Sequence, residues 1–276
     1  MTKLSTLETG FFHSDGGAMF GLLPKMIWNR HYYADNKNLC QMAMRCLLYK
    51  KKERIILFDT GTGSKEDKRL APYGFFRQKE LKELLTAHQI KAEAVTDIVL
   101  SHLHFDHCGA ISEMSDNGVL KETFPNAHYY ISKAQWIRQQ APGLLDQDAY
   151  FKENIFFLNQ NPRLHLIDTN FQLTEEVELC LYEGHTLGQI VSFIRTAEGT
   201  RVFAGDVMPL ALNIHPECIS AFDLTADVSI TERIRLIKQI VAEDAFVYFY
   251  HDAYTIGAKI RKTGTRFMLY EKQTVG

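Results

Sequence analysis

From Ser101 to Gly109 the chain reads Ser-His-Leu-His-Phe-Asp-His-Cys-Gly, so three imidazoles and one carboxylate fall between His102 and His107. Nitrogen and oxygen donors packed this closely suit a borderline metal ion such as zinc. A single histidine beside a strand is more commonly a satisfied core residue, but that reading does not extend to four donors in six positions. His102 and His104 alternate and can face one metal, while Asp106 and His107 lie further along the loop and can face a second. The spacing itself therefore argues for two metals. Upstream, Asp97-Ile98-Val99-Leu100 reads as a buried strand that delivers the cluster to a sheet edge.

His102, His104, Asp106 and His107 match HxHxDH, and in this the sequence resembles the metallo-β-lactamase superfamily. Further landmarks appear in order: Phe58-Asp59-Thr60-Gly61, Gly184-His185-Thr186-Leu187-Gly188, Phe203-Ala204-Gly205-Asp206 and Tyr250-His251-Asp252. The resemblance spans roughly residues 40 to 252. It implies that His102, His104 and His185 hold one metal, that Asp106, His107 and His251 hold the other, and that Asp206 bridges them. Asp59 has a local role in fixing the Thr60–Gly63 turn through side-chain to backbone bonds; the resemblance adds the task of orienting the histidine loop.

Two such metals lower the pKa of a shared water toward neutrality, which supplies a nucleophile without serine or cysteine. Asp106, a ligand that touches that nucleophile, is the candidate to pass a proton to the leaving group. The metals are two divalent ions, read as Zn2+, although histidine and carboxylate donors also accept manganese, iron and cobalt.

Within the family the branches differ in what they require. Relatives of glyoxalase II append a helical C-terminal domain, and only 25 residues follow His251 here. Flavodiiron oxidoreductases replace the second histidine of the motif with glutamate and add a flavodoxin domain, whereas His104 is intact. The seven ligands and the run Gly205-Asp-Val-Met-Pro-Leu-Ala-Leu-Asn-Ile-His-Pro-Glu-Cys-Ile-Ser-Ala-Phe-Asp223 resemble the N-acyl homoserine lactonase and methyl parathion hydrolase branch. That implies hydrolysis of hydrophobic lactones or other carboxylic esters. The alternatives are organophosphate phosphotriester hydrolysis and a non-catalytic metal-binding or sensing protein of the same fold. Lactonases of the branch carry a tyrosine three residues after the bridging aspartate, and Pro209 stands there instead.

These loops need a scaffold. Alternating and buried apolar runs predict strands at Met42–Tyr49, Arg54–Phe58, Asp97–Leu100, His128–Ile131, Arg163–Ile167, Val177–Tyr182, Ile190–Ile194, Arg201–Ala204 and Ala245–Tyr250. Helices are expected at Gln78–His88 and Thr231–Ala242. The second carries Ile234, Ile237, Ile240 and Val241 on one face and a capping box at Ser229-x-x-Glu232. Strands and helices in this mixture suit an α+β chain, and the resemblance specifies a metallo-β-lactamase αββα sandwich of two mixed β-sheets flanked by helices. The expectation is one domain over 1–276, with 1–35 as an N-terminal hairpin or loop. In the resembling lactonases such a loop borders the site, which makes Met19, Phe20, Leu22 and Trp28 candidates for the substrate pocket. Tyr73 to Phe76 could add apolar surface or a contact within a homodimer.

The 276 residues are 46% hydrophobic and 23% charged, ample for a core, and the net charge of −2 gives no reason to expect nucleic acid or an anionic membrane as partner. A small-molecule substrate fits that balance. The start lacks the apolar core of a signal peptide and no segment is long enough to span a bilayer, so a cytoplasmic location is expected. Five cysteines, without CxxC spacing, read as reduced, with Cys108 as a small residue packed beside the metal motif. Gly61-Thr62-Gly63 lacks the spacing of a phosphate-binding loop.

Overall fold

The computed structural model describes residues 2–65 and 68–275. Among the described residues, fifteen strands run in chain order as β1 (Lys3–Asp15), β2 (Leu39–Lys51), β3 (Arg54–Phe58), β4 (Asp97–Val99), β5 (Ser112–Met114), β6 (Leu120–Glu122), β7 (His128–Ser132), β8 (Leu164–Ile167), β9 (Phe171–Gln172), β10 (Val177–Tyr182), β11 (Gln189–Thr196), β12 (Gly199–Phe203), β13 (Phe246–Tyr248), β14 (Thr255–Thr263) and β15 (Arg266–Thr274). A six-stranded sheet has the order β1-β2-β3-β4-β7-β8, a seven-stranded sheet the order β15-β14-β13-β12-β11-β10-β9, and β5 with β6 forms a small hairpin. Both large sheets mix parallel and antiparallel pairs, the α+β arrangement expected. The chain divides into two compact units, one of Met1–Phe11 with Met44–Asp168 and the other of Phe12–Ala43 with Thr169–Gly276.

In the first unit β2 and β3 pair antiparallel through the turn at Lys52, and β3, β4, β7 and β8 then pair parallel. Parallel strands need both faces covered and so read as continuous apolar runs: Ile56, Leu57, Phe58, Ile98, Val99, Tyr129 and Ile131 are all buried. Because β3 and β4 are parallel, the loops that begin at Asp59 and Ser101 leave the sheet from the same end. Helix Lys133–Gln140 follows β7 directly, with the Ser132 hydroxyl capping it by accepting from the Gln135 N–H.

In the second unit β12 and β13 are parallel and joined by helix Ala226–Ala242, a crossover connection. The helix packs Leu236, Ile237 and Ile240 into a core with Val191, Phe193, Val202, Val247 and Phe249. Its apolar face was expected through Ile234 and Val241; these are half-buried, and the buried positions toward its start are Ser229 and Arg233. The helix also begins earlier than expected, at Ala226, so Ser229 lies inside it and the capping box does not form. Glu232 instead accepts from the backbone N–H groups of Glu183 and Gly184 in a neighbouring loop.

The expected strands are present with ends shifted by a few residues, and helix Gln78–His88 is reduced to Leu81–Ala87. The long strand β1 and the hairpin β14–β15 were not expected. The hairpin did leave a signal: Ile256, Ala258 and Ile260 alternate along β14, and Gly264 supplies the positive φ of the turn.

Candidate metal centre

In the first unit the chain climbs β3 into Asp59, a non-glycine residue at φ +58 whose N–H is fixed by the Val99 carbonyl at 2.9 Å. The Asp59 carboxylate is completely buried and holds three groups of the histidine loop. Its Oδ1 accepts from the Ser101 N–H at 2.6 Å, and its Oδ2 accepts from the Ser101 hydroxyl at 2.7 Å and stands 2.8 Å from His107 Nδ1. Complete burial pushes this carboxyl above its ordinary range, against the pull of His107 and Ser101.

The same Ser101 oxygen lies 3.0 Å from His102 Nδ1. A hydroxyl that donates to Asp59 has lone pairs left to accept, so His102 carries its proton on Nδ1 and keeps Nε2 as a lone-pair donor. His107 is held in the same tautomer by Asp59. One donor nitrogen of His102 lies within 4.8 Å of one on His104 and of one on His107. His107 Nε2 is 3.9 Å from Asp106 Oδ2. The ring of His104 packs edge-on against Tyr150, 5.2 Å between centroids.

Backbone bonds set this loop. Leu103 N–H donates to the buried Gln135 side chain at 3.1 Å, and residues 105–108 make one helical turn whose His107 and Cys108 N–H groups return to the His104 carbonyl. The Asp59 turn grips the far end: Thr60 N–H donates to the His107 carbonyl and Gly109 N–H to the Gly61 carbonyl, both at 2.7 Å. Gly109 is required there, because a Cβ would stand 1.9 Å from the Thr62 oxygen. Cys108 is packed beneath the motif, its thiol donating to the Leu103 carbonyl and pushed up to about 12 by burial. All five cysteines are free, as expected.

The second unit places His185, Asp206 and His251. His185 Nε2 and His251 Nε2 lie 3.6 Å and 3.4 Å from the same oxygen, Asp206 Oδ2. Their other nitrogens are both engaged: His185 Nδ1 with Asp223 Oδ1 at 2.9 Å, and His251 Nδ1 with the Ala43 carbonyl at 2.8 Å. Asp206 sits on a tight 3-10 turn after β12, opened by Gly205 at φ +50. With its amide oxygen turned toward that turn, buried Gln189 accepts from the Asp206 N–H at 2.6 Å and the Val207 N–H at 3.3 Å.

Two neighbours on helix Ala226–Ala242 brace both loops. Glu232 accepts from the N–H groups of Glu183 and Gly184 at the start of the His185 loop. The buried Arg233 guanidinium donates to the carbonyls of Val207, Pro216 and Cys218 and lies 3.6 Å from Asp223 Oδ2. Burial works to raise Asp223, but the His185 bond, the Arg233 charge and the Ser220 hydroxyl outweigh it and hold the carboxyl below its ordinary range. Asp223 is thus a charged acceptor for His185.

Of the pocket candidates, Phe20 and Trp28 are buried and stacked on each other at 4.5 Å, Met19 is 7% exposed, and Leu22 is 73% exposed. Segment 16–35 is short helices, Gly16–Phe20 and Lys25–Trp28, following β1, and Tyr32 ties it to the His251 loop by accepting from the Ala253 N–H at 3.1 Å. Tyr73, Phe75 and Phe105 form an aromatic cluster in the first unit. Sequence reasoning assigned no role to Ser101, Gln189, Asp223, Glu232 or Arg233 as supports. Only Ser101, adjacent to His102, and the Phe222-Asp223 pair left a trace.

The donor set in each unit fits a divalent transition metal. In the first, His102 and His107 present Nε2 beside His104 and Asp106; in the second, two Nε2 atoms converge on one carboxylate oxygen. Histidines whose Nδ1 is fixed by an oxygen acceptor are what such ions require. No helix among the described residues is long and apolar enough to cross a membrane.

The profile of the Metallo-beta-lactamase superfamily matches residues 45–251. An N-acyl homoserine lactonase of Bacillus cereus is 25% identical over 228 residues, covering 78% of this chain and 83% of its own. Among solved structures, a probable metal-dependent hydrolase from Staphylococcus aureus superposes with a TM-score of 0.88 at 23% identity, over 99% of this chain and 98% of its own. The dizinc quorum-quenching lactonase AidC superposes at 0.79 and 24% identity, over 100% and 96%. The hydrolase AbOPH of the β-lactamase superfamily gives 0.79 at 19%, over 97% and 93%.

Proposed function

The chain belongs to the metallo-β-lactamase superfamily and is a metal-dependent hydrolase; from that premise we propose that it opens lactones or other carboxylic esters bearing a hydrophobic substituent, N-acyl homoserine lactones foremost. The proposed ligands are His102, His104 and His185 for one ion, Asp106, His107 and His251 for the other, and Asp206 for both. The observation that carries the reading is the state of the imidazoles. Nδ1 of His102, His107, His185 and His251 each faces an oxygen partner within its own unit, which reserves Nε2 for a metal. The similarity to a lactonase of Bacillus cereus supports the substrate class.

When bound, the two ions supply Lewis acidity, polarising an ester oxygen and lowering the pKa of water. The chain's own residues do the rest. Asp59 and Asp223 hold His107 and His185 in one tautomer and orientation. Asp106 moves a proton to the leaving alkoxide. Among the pocket candidates, Leu22 exposes an apolar side chain for the substituent and Met19 is buried, while the stacked rings of Phe20 and Trp28 stiffen the segment that carries them.

The reading takes the metal to be zinc and the chain to act as one domain over 1–276, in the cytoplasm, with a homodimer as the assembly to test. One observation favours the second reading, phosphotriester hydrolysis. Position 209 is proline, with its carbonyl accepting from the His251 N–H at 3.0 Å, so it offers no phenol to a lactone carbonyl.

The test is metal content of the purified protein, paired with side-by-side turnover of acyl-homoserine lactones of several chain lengths and an aryl phosphotriester. Two metals per chain and lactone cleavage that is lost in Asp206→Ala support the proposal. Phosphotriester turnover without lactone cleavage moves it to the second reading, and a protein that binds no metal overturns both.

A further inference from the structure

At the N-terminal ends of the parallel strands, the end of the sheet opposite to Asp59 and Ser101, β7 and β8 carry a pair of histidines. The register aligns Asp97 with His128 and Tyr130 with His165. In a parallel ladder these four side chains share one face. His128 Nδ1 and His165 Nε2 lie 2.8 Å apart, and the ring of Tyr130 stacks on His165 at 4.8 Å between centroids. The pair opens on a shallow cavity of about 480 Å³ that Arg54 and Asp97 also line. Asp97 is committed elsewhere, to a two-bond pair with Arg54 at 2.8 and 2.9 Å and to the Thr96 hydroxyl at 2.6 Å.

From this juxtaposition we infer that His128 and His165 form a second metal site, taking one late first-row divalent ion, Cu2+, Ni2+ or Zn2+, by two imidazole nitrogens. Bonds of roughly 2.0–2.1 Å to a common ion set two nitrogens about 2.8–3.0 Å apart at a right angle and about 3.3–3.4 Å apart at the tetrahedral angle. The nitrogens need to part by only a few tenths of an ångström, while both rings turn so that the lone pairs, which lie along the hydrogen bond, converge on the ion. The proton shared between the rings moves to the far nitrogen of its own ring, so binding takes up and releases no net proton. With two protein donors and water in the remaining positions, the site is weaker than a seven-ligand centre, and affinity follows the order in which Cu2+ exceeds Ni2+ and Zn2+. The ion joins β8, the last strand of its sheet, to β7. A ligand that binds only the folded state raises the melting temperature.

The experiment uses the full chain, loaded first with zinc, and counts Cu2+ bound by equilibrium dialysis in wild type, His128→Gln and His165→Gln. The expected result is one ion per chain fewer in each variant, a two-imidazole Cu2+ spectrum in wild type that both variants lack, and a Cu2+-dependent rise in melting temperature confined to wild type. Hydrolysis by the variants stays at the wild-type level. Repeating the count in Asp206→Ala separates this site from the proposed catalytic centre, since the Cu2+ held by the histidine pair persists there. Equal Cu2+ counts in wild type and both variants overturn the inference.

Discussion

The Asp59 carboxylate lies 2.8 Å from His107 Nδ1, both side chains completely shielded from solvent, and the same group holds the N–H and hydroxyl of Ser101. One acid therefore sets the tautomer of one proposed ligand directly and of another, His102, through Ser101. Asp59→Asn keeps the volume but presents a donor amide where acceptors are needed. Activity should fall roughly 10–100-fold with a matching loss of metal affinity, measured by turnover against free zinc concentration. Unchanged metal affinity would refute the orienting role.

Asp223 does the same for His185 from 38 residues away. Asp223→Asn should weaken metal binding by a similar 10–100-fold while the protein stays folded. Arg233→Met is expected to act differently. It strips three carbonyls and Asp223 of their buried partner and should cost about 3–5 kcal/mol of stability, visible as a lowered denaturation midpoint before any specific effect on metal.

Gly109→Ala drives a Cβ against the Thr62 carbonyl, 1.9 Å away, so the Asp59 turn and the histidine loop must part. A loss at or above the roughly 1–3 kcal/mol of ordinary overpacking is expected, together with loss of metal. Thermal melts with and without zinc report both.

The hydrolysis proposed uses no thiol. Cys108→Ala should retain turnover within a few-fold, since the buried thiol, pushed up to about 12, is not a nucleophile. Chelation should abolish turnover and added zinc restore it. Sensitivity to thiol-blocking reagents, with turnover surviving chelation, would point to a different chemistry.

Lys65 supplies a pH test. Burial lowers it from 10.5 to about 8 while its ammonium donates to the carbonyls of Gly109 and Ser112. Between about pH 8 and 10.5 the unfolded chain binds more protons at this residue than the folded one, so its contribution makes stability rise with pH. Relative to Lys65→Met, the wild-type denaturation midpoint should climb across that window and run parallel below it. Parallel midpoints throughout would show that the lysine is not depressed.

Much was legible because it is local. The donors of the HxHxDH run, the strands before Asp59 and Ser101, and the glycine-bearing loops are written in residue type and spacing. Pairing distances and tautomers are not. The helix Ala226–Ala242 shows why: its expected apolar stripe and capping box were plausible by periodicity, yet Glu232 and Arg233 are spent on the loops of His185 and Asp206. Strand β1 was missed because its polar and aromatic residues give no clean alternation, and its pairing with β2 is non-local.

The sequence by itself determined the metal chemistry, since donor identity is a property of residue types, and the superfamily, since its motifs keep their order along the chain. Only the tertiary structure decided which acceptors lock each imidazole: Asp59 for His107, Asp223 for His185 and the Ala43 carbonyl for His251. A hydrogen bond is specified to tenths of an ångström between groups that lie 38 to 208 residues apart, and nothing in linear spacing carries that coordinate.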